Sequence, residues 1–167
     1  MKLLLVFLSI FAISVVTFFV FNPYIYTEEK TDTRQFDGAH FGFVHAFTDN
    51  NTAMDFDDAV WLTGTVAEDA AIRAGICTEE TRMECLPNDF FIENSEKKSE
   101  RLAIHPDVTV VMQTWNMEET GGVRNQEISL THFANLINDP TLHWRNLPYR
   151  ITVVGDEVTR IEEVYVP

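Results

Sequence analysis

The hydrophobic positions of this chain change their period several times, and the first of them form an unbroken run. Nineteen residues from Leu3 to Phe21 carry no charge, and Ser9, Ser14 and Thr17 are their only polar interruptions. As a helix rising about 1.5 Å per residue, the run would cover roughly 28 Å, close to the hydrocarbon thickness of a bilayer. The pattern therefore predicts a membrane anchor at residues 1–22.

A cleaved signal peptide is the alternative to this anchor. Such a peptide ends in a small-x-small cleavage site, and Ala12-Ile13-Ser14 is the only such triplet in the run. Cleavage there would leave Val15 to Phe21 as an exposed apolar terminus, which favours the uncleaved anchor. Lys2 is the only charge before the run, and acidic residues follow it from Glu28. The positive-inside tendency then places the rest of the chain outside the cytoplasmic membrane.

Beyond the anchor, residues 23–38 have scattered charges and no sustained apolar period, which indicates a tether. A single domain follows at residues 39–167. It opens with an alternating pattern that predicts a strand over residues 40–47. Turn-forming residues at 48–51 and a second strand at 52–56 complete a hairpin. On the first strand, alternation places four side chains on one face: Phe41, Phe43, His45 and Phe47.

Two helices are predicted from capping signals. Thr65 and Glu68 form a capping box for a helix over Val66–Ala74, with Gly75 in the C′ position. Its small apolar side would consist of Val66, Ala70 and Ala74.

The second helix starts after Ser129, where Ile128 and Phe133 have the spacing of a hydrophobic staple, and it ends near Asn138. Further strand signals flank a polar turn at 94–99, are rich in β-branched residues, or form a terminal hairpin around Gly155. They lie at Asp89–Glu93, Leu102–Ile104, Val108–Trp115, Tyr149–Val154 and Val158–Val166.

Six or so short strands, mostly joined as hairpins, with two short helices between them predict an α+β domain on an antiparallel sheet. Closure of such a sheet removes its exposed edges. We therefore expect a small, partly closed, OB-like β-barrel, with the helices acting as plugs.

The domain is strongly acidic. The part of the chain after the anchor holds 11 basic and 26 acidic residues, a net charge of −15. Nucleic acid binding requires basic clusters that neutralise phosphates, and the only adjacent basic pair is Lys97-Lys98 in a predicted turn. The composition thus argues against nucleic acid partners, and solubility is its simplest explanation.

Cys77 and Cys85 are the only cysteines, and eight positions separate them. Their even number, their proximity and the expected location favour a disulfide over two free thiols. Their spacing fits no common zinc site, and no second pair completes four ligands.

Three segments resemble an uncharacterised family of small exported bacterial domains. The first runs from Phe56 to Gly64 and contains Trp-Leu-Thr-Gly, the second is the Pro-Asn-Asp-Phe-Phe-Ile-Glu-Asn stretch from Pro87, and the third is the ending from Tyr149 to Pro167. The resemblance covers about residues 40 to 167 and implies an exported location after a signal peptide or lipid anchor. It implies no catalytic residues. The chain departs from lipid-anchored members in lacking a lipidation cysteine, and the cysteine pair is not part of the family pattern.

Catalytic motifs are weak throughout. The chain has no Gly-x-Ser-x-Gly elbow and no phosphate-binding glycine loop, so we predict no catalytic residue and no cofactor. His40 and His45 would point to opposite faces of one strand, while His105, His132 and His143 are dispersed. Isolated histidines are therefore expected rather than a metal site.

Four acidic residues are weak candidates for a hard cation such as calcium, because two share a strand face and two lie nearby: Asp49, Asp55, Asp57 and Asp58. Their spacing misses the EF-hand pattern, which favours a solvated strand end.

Three functions of different class follow. The first is a non-enzymatic module outside the membrane that binds an unknown protein or small ligand, with the membrane contacted through residues 3–21. The second is a calcium-binding module or metal-dependent enzyme that uses the acidic region from Asp49 to Asp58. The third is a hydrolase with a dispersed site.

Overall fold

Five strands of this chain pair into a closed barrel, and buried and exposed side chains alternate along them. The computed structural model describes residues 36–82 and 84–166, which hold eight strands, three α-helices and two short 3₁₀ turns. The strands are β1 (Gly38–Thr48), β2 (Ala53–Asp58), β3 (Val60–Thr63), β4 (Phe90–Glu93), β5 (Ser99–Met112), β6 (Gln126–Ile128), β7 (Pro148–Val154) and β8 (Glu157–Glu163). The helices are α1 (Gly64–Arg73), α2 (Met117–Thr120) and α3 (Leu130–Asn138), and the 3₁₀ turns are Asp49–Asn51 and Trp144–Asn146.

The barrel order is β2-β1-β7-β8-β5, and β2 also pairs with β5 to close the ring. Strand β6 lies outside the ring and pairs with the last three residues of β5. Four of the barrel pairs are antiparallel, whereas β5 and β8 are parallel. The expectation of an α+β domain with a β-barrel is thus confirmed, but the expectation of an entirely antiparallel sheet is wrong at this pair.

The hydrophobic core fills the barrel and extends to α3. Its fully buried members come from every barrel strand and from the helix. They include Val44, Met54, Phe56, Val110, Met112, Phe133, Ile137, Tyr149, Ile151, Val158 and Ile161.

Strand β1 contains a β-bulge that corrects the predicted face. Its register against β2 shifts between Val44 and Ala46, so His45 is the extra residue. A bulge reverses the alternation of side chains beyond it. Val44 and Phe47 are therefore both buried in the core, and Phe47 does not share a face with Phe41. The single-face prediction is wrong because a strict period of two cannot cross the bulge.

Gly42 allows β1 to lie close against β2. A Cβ at this position would lie 2.0 Å from the carbonyl oxygen of Asp57 and 2.9 Å from Cζ of Phe56. Neither neighbour could move away cheaply, because one is backbone and the other is a buried ring. Only glycine fits this point of the barrel.

A smaller unit, which we call the inserted unit, lies between β2 and β5 along the chain. It consists of the antiparallel pair β3–β4, helix α1 and the Cys77–Cys85 disulfide, whose Cα atoms are 5.9 Å apart. The predicted disulfide is confirmed. Inside the disulfide loop, Arg82 donates to Asp69 and to Glu79 at 2.9 Å, and these two hydrogen bonds raise the pKa of the guanidinium.

Helix α1 starts earlier than the capping box predicts. Thr63 is the N-cap residue, and Gly64 turns the chain out of β3 with a φ of +59°. The buried face of the helix comprises Ala67, Ala70 and Ala71, whereas Val66 is exposed. The predicted capping box at Thr65 is wrong, and of the predicted apolar side only Ala70 is buried. Gly75 does adopt the left-handed C′ conformation.

The middle strands also differ from expectation. Strand β5 is one strand of 14 residues that spans the two predicted segments around His105. Strand β4 pairs with β3, and β5 pairs with β2, so the polar turn at 94–99 does not close a hairpin. Local periodicity could not reveal these long-range partners.

The elements near the C-terminus agree with prediction. Ser129 caps α3 by accepting a hydrogen bond from the His132 N–H at 3.2 Å, and the helix ends at Asn138. Strands β7 and β8 form the terminal hairpin through Gly155 and Asp156.

The predicted anchor at residues 1–22, and the predicted tether apart from its last three residues, lie outside the described residues. Within the described part of the chain, no helix is both long and apolar enough to span a membrane.

Candidate functional site

An open cavity lies beside the end of β5 and the Trp144–Asn146 turn. Its volume is about 390 Å³. We call it the aromatic cavity. Its lining residues are Thr114, Asn116, Met117, Glu118, His143 and Trp144. These residues come from two segments far apart in sequence, so the folded barrel creates the cavity.

A buried carboxylate fixes the Thr114 wall of the aromatic cavity. Glu163 is 1% exposed, and its Oε2 accepts hydrogen bonds from the backbone N–H groups of Gln113 and Thr114 at 2.7 and 3.0 Å. The Thr114 hydroxyl donates to Oε1 of Glu163. Because a buried charge is costly unless it is hydrogen-bonded, this arrangement holds the chain rigidly where it leaves β5.

The Trp144 wall is held by the core. The Tyr149 hydroxyl donates to the Trp144 carbonyl at 2.8 Å. Burial raises the pKa of Tyr149 well above its usual value, and the charge of Glu163 raises it further, so the phenol stays a donor. Beside this turn, Arg145 donates to the carbonyl of Ile137 at 3.0 Å.

The aromatic surface of the cavity consists of two stacked rings. The ring centroids of His143 and Trp144 are 4.7 Å apart, and the planes differ by 28°. Trp115, which lies between Thr114 and Asn116 in sequence, makes an edge contact with His132, with the ring centroids 5.1 Å apart. All three tryptophans are partly buried, so none is wholly a core residue.

Polar and acidic groups complete the rim. Asn116 has a left-handed φ of 63°, which asparagine tolerates, and its Nδ2 donates to Glu119 at 2.6 Å. Glu118 is exposed and makes no ion pair with another described residue. Met117 and Leu142 are 38% and 37% exposed, so apolar surface adjoins the rim.

A second polar cluster lies between the barrel and the inserted unit. Asp57 is 3% exposed, and its Oδ2 accepts from Asn94 Nδ2 at 2.8 Å and lies 3.3 Å from His45 Nε2. Its Oδ1 has no hydrogen-bond partner among the described residues. Asn94 also lines a cavity of about 300 Å³ under α1.

The four acidic candidates for a cation each engage a different partner. Asp55 pairs with Arg101 at 3.2 Å, Asp57 contacts His45, and Asp58 lies 3.7 Å from His40. The carboxylate of Asp49 accepts from Thr48 at 3.4 Å. Burial raises the pKa of Asp58, while the nearby His40 opposes this shift. Within residues 36–82 and 84–166, no three His, Cys, Asp or Glu side chains are arranged to hold a metal ion.

The dispersed histidines remain apart. His105 Nδ1 accepts from the Asp107 N–H at 3.1 Å, whereas His132 contacts Trp115 and His143 stacks on Trp144. None of these three histidines lies within 4 Å of a described carboxylate.

Sequence reasoning missed both the aromatic cavity and the role of Glu163. The adjacent pair His143-Trp144 was the only local signal for the cavity, and an aromatic pair alone does not distinguish a binding surface from a core. Nothing in the sequence around Glu163 indicates that its side chain is buried.

Comparison of the chain with protein-family models, curated proteins and solved structures found no match. The resemblance to exported bacterial domains stays a prediction.

Proposed function

We propose that residues 39–167 are a non-enzymatic binding module, held outside the cytoplasmic membrane by the anchor at residues 1–22. The proposed ligand site is the aromatic cavity, and the proposed architecture is an OB-like barrel.

The strand order supports the OB-like assignment. Strands β1, β2 and β5 are neighbours, and β7 returns by a long connection through α3 to lie beside β1. This is a Greek-key return, and a five-stranded Greek-key barrel is typical of the OB fold. OB folds serve many functions, so the proposal rests on the site rather than on the fold.

The observation that carries the proposal is the open, aromatic-walled cavity with exposed apolar residues at its rim. Met117 and Leu142 stay accessible although the domain has a filled core. Concave sites with an aromatic surface and a few fixed polar groups are the usual form of binding sites. Here the Thr114 N–H donates to Glu163 and the Trp144 carbonyl accepts from Tyr149, so the barrel strands hold both walls and the cavity is preformed.

A hydrolase is the second candidate, because His45 and Asp57 form a histidine–carboxylate pair. The His45 side chain is 45% exposed, whereas that of Asp57 is 4% exposed. A buried carboxylate can orient a histidine as a general base. No described hydroxyl or thiol is hydrogen-bonded to His45, so the binding module remains the preferred function.

The test uses a photo-reactive phenylalanine analogue in the full chain, in cells that naturally produce it. Placed at Met117, it should give a discrete crosslinked product. Placed at Val154, which is 61% exposed and outside the cavity, it should not. Equal crosslinking from both positions, or none from Met117, would contradict a binding site at the aromatic cavity.

The hydrolase candidate has its own readout. Purified full-length protein and its His45→Ala variant would be compared on a panel of ester, amide and phosphoester substrates. Turnover that His45→Ala abolishes would replace the binding module by an enzyme.

A further inference from the structure

We propose that the aromatic cavity receives a basic side chain, lysine or arginine, presented by a partner protein. This inference rests on the proposed binding function and assigns the chemistry of the ligand.

The cavity carries negative charge on its lining. Its lining contains the carboxylate of Glu118 and no lysine or arginine. Glu119 is the next residue, and its Oε2 is held by Asn116 at 2.6 Å, which keeps a second carboxylate at the rim. The nearest basic residue in the Trp144 turn, Arg145, directs its guanidinium to the Ile137 carbonyl.

The long-range field acts in the same direction. The part of the chain beyond the anchor carries a net charge of −15. Such a field raises the local concentration of cations and steers cationic partners toward the domain. A negatively charged ligand would meet repulsion both at long range and at Glu118.

The aromatic wall adds an attraction that is specific to cations. Tryptophan is the best aromatic partner for an ammonium or guanidinium group, because the negative face of its ring attracts positive charge. Trp144 and His143 both line the cavity, and their rings stack on each other. Thr114 and Asn116 add oxygen atoms that can accept hydrogen bonds from such a group.

The apolar rim suits the stem of a basic side chain. Lysine and arginine carry three or four methylene groups that pack on apolar surface while the charged end stays polar. Met117 lines the cavity and is 38% exposed, and Leu142 adjoins His143 in sequence.

The open form of the cavity favours a protein over a free small cation. Met117, Glu118 and His143 are all exposed residues of its lining. Small-molecule sites enclose most of their ligand, about 70 to 90% of its surface. A side chain that projects from a partner needs an open cavity, because the partner surface closes it.

The experiment measures binding to the full chain in maltoside micelles by NMR. The chain has three tryptophans, so indole ¹⁵N labelling gives three indole signals, and Trp144→Phe assigns the one from the cavity. The probes are Nα-acetyl-lysine methylamide, which keeps its side-chain ammonium, and Nα-acetyl-norleucine methylamide. They share an aliphatic stem but differ in charge. Choline serves as a free small cation.

The expected result is a saturable shift of the Trp144 signal with the lysine probe and a much weaker shift with norleucine. Glu118→Gln should raise the Kd of the lysine probe about three-fold, since exposed ion pairs are modest. Glu96→Gln removes the same charge from an exposed position in the turn after β4, and it should leave the Kd unchanged.

Each other outcome overturns the inference. An equal response to norleucine would show an apolar cavity without charge recognition, and a response to choline alone would make the ligand a small cation. If no probe shifts Trp144 while the crosslink from Met117 forms, the cavity binds a different chemistry and the binding function stands. If neither the shift nor the crosslink appears, the proposed function itself fails.

Discussion

The side-chain amide of Asn138 pairs with the main chain of Phe47. The Phe47 N–H donates to Oδ1 at 2.9 Å, and Nδ2 donates to the Phe47 carbonyl at 3.3 Å. Strand β7 pairs with β1 only as far as Phe43, so Asn138 supplies the hydrogen bonds that a longer strand would make. One amide thereby fixes the end of α3 against the barrel.

Asn138→Asp keeps the size and the acceptor but removes the donor. We expect it to lower the free energy of unfolding by about 1 to 3 kcal/mol, because the Phe47 carbonyl loses its partner and faces a carboxylate. Urea denaturation measures the change. Asn135→Asp places the same charge at another exposed position of α3, away from the amide pair, and its effect should stay within about 0.5 kcal/mol. Equal effects of the two variants would contradict the role of the amide pair.

The hydrogen bond between Asp57 and Asn94 should make the two residues energetically coupled. A double-mutant cycle with Asp57→Ala and Asn94→Ala should give a coupling energy of about 1 to 2 kcal/mol, since each single change leaves a polar partner unsatisfied. The Asp55–Arg101 pair, in which Arg101 is 60% exposed, is the matched control and should give a clearly smaller coupling energy, because solvent screens an exposed ion pair. Additive single mutants at Asp57 and Asn94 would show that the contact contributes nothing.

The raised pKa of Tyr149 should make the folded protein less stable at alkaline pH. Burial raises its pKa in the folded protein, whereas the unfolded chain releases the proton near the usual value of about 10. The folded state therefore holds a proton that the unfolded state loses, and stability falls as the pH rises above about 10.

Tyr149→Phe removes this titration and also the hydrogen bond to Trp144. It should cost about 1 kcal/mol at pH 7. The advantage of the natural chain over the variant should then shrink as urea denaturation is repeated at pH 10 and above. Tyr165→Phe, which removes an exposed hydroxyl, should change stability at pH 7 by less than about 0.5 kcal/mol. Parallel pH profiles of Tyr149→Phe and the natural chain would refute the explanation.

The Cys77–Cys85 disulfide should stabilise the folded state by roughly 2 to 3 kcal/mol, as expected for a short closed loop. Mass measurement before and after reduction should differ by two hydrogens, and reduction should lower the urea midpoint. A Cys77→Ala/Cys85→Ala variant controls for direct effects of the reductant, because it has nothing to reduce. Alkylation of both thiols in unreduced protein from its native compartment would rule the bond out there.

The proposed location is tested by protease treatment of intact spheroplasts. If residues 24–167 lie outside the cytoplasmic membrane, added protease should digest them while a cytoplasmic marker protein stays whole. Full protection of the domain, with the anchor still present, would place it inside.

Local signals in the sequence predicted those elements whose causes are local. The cap at Ser129, the turn at Gly155 and the terminal hairpin each depend on residues within a few positions, and all three are present. The disulfide was predictable because the chain offers only one cysteine pairing.

The features that failed depend on distant partners. Nothing near His45 marks the bulge, which arises from the register of β1 against β2. The parallel pairing of β5 with β8 joins strands about fifty residues apart, for example Val110 with Ile161. The aromatic cavity likewise combines Thr114 and Trp144, which only the closed barrel brings together.

The inserted unit leaves and rejoins the barrel at one point, because Asp57 and Ser99 are paired neighbours on β2 and β5. Residues 59–98 could thus be exchanged for a short turn after Asp58 without removing a residue from any strand of the ring. Insertions of other lengths would be accommodated there for the same reason. This junction is where the chain can gain or lose a whole appendage during evolution, and where an engineer could graft one.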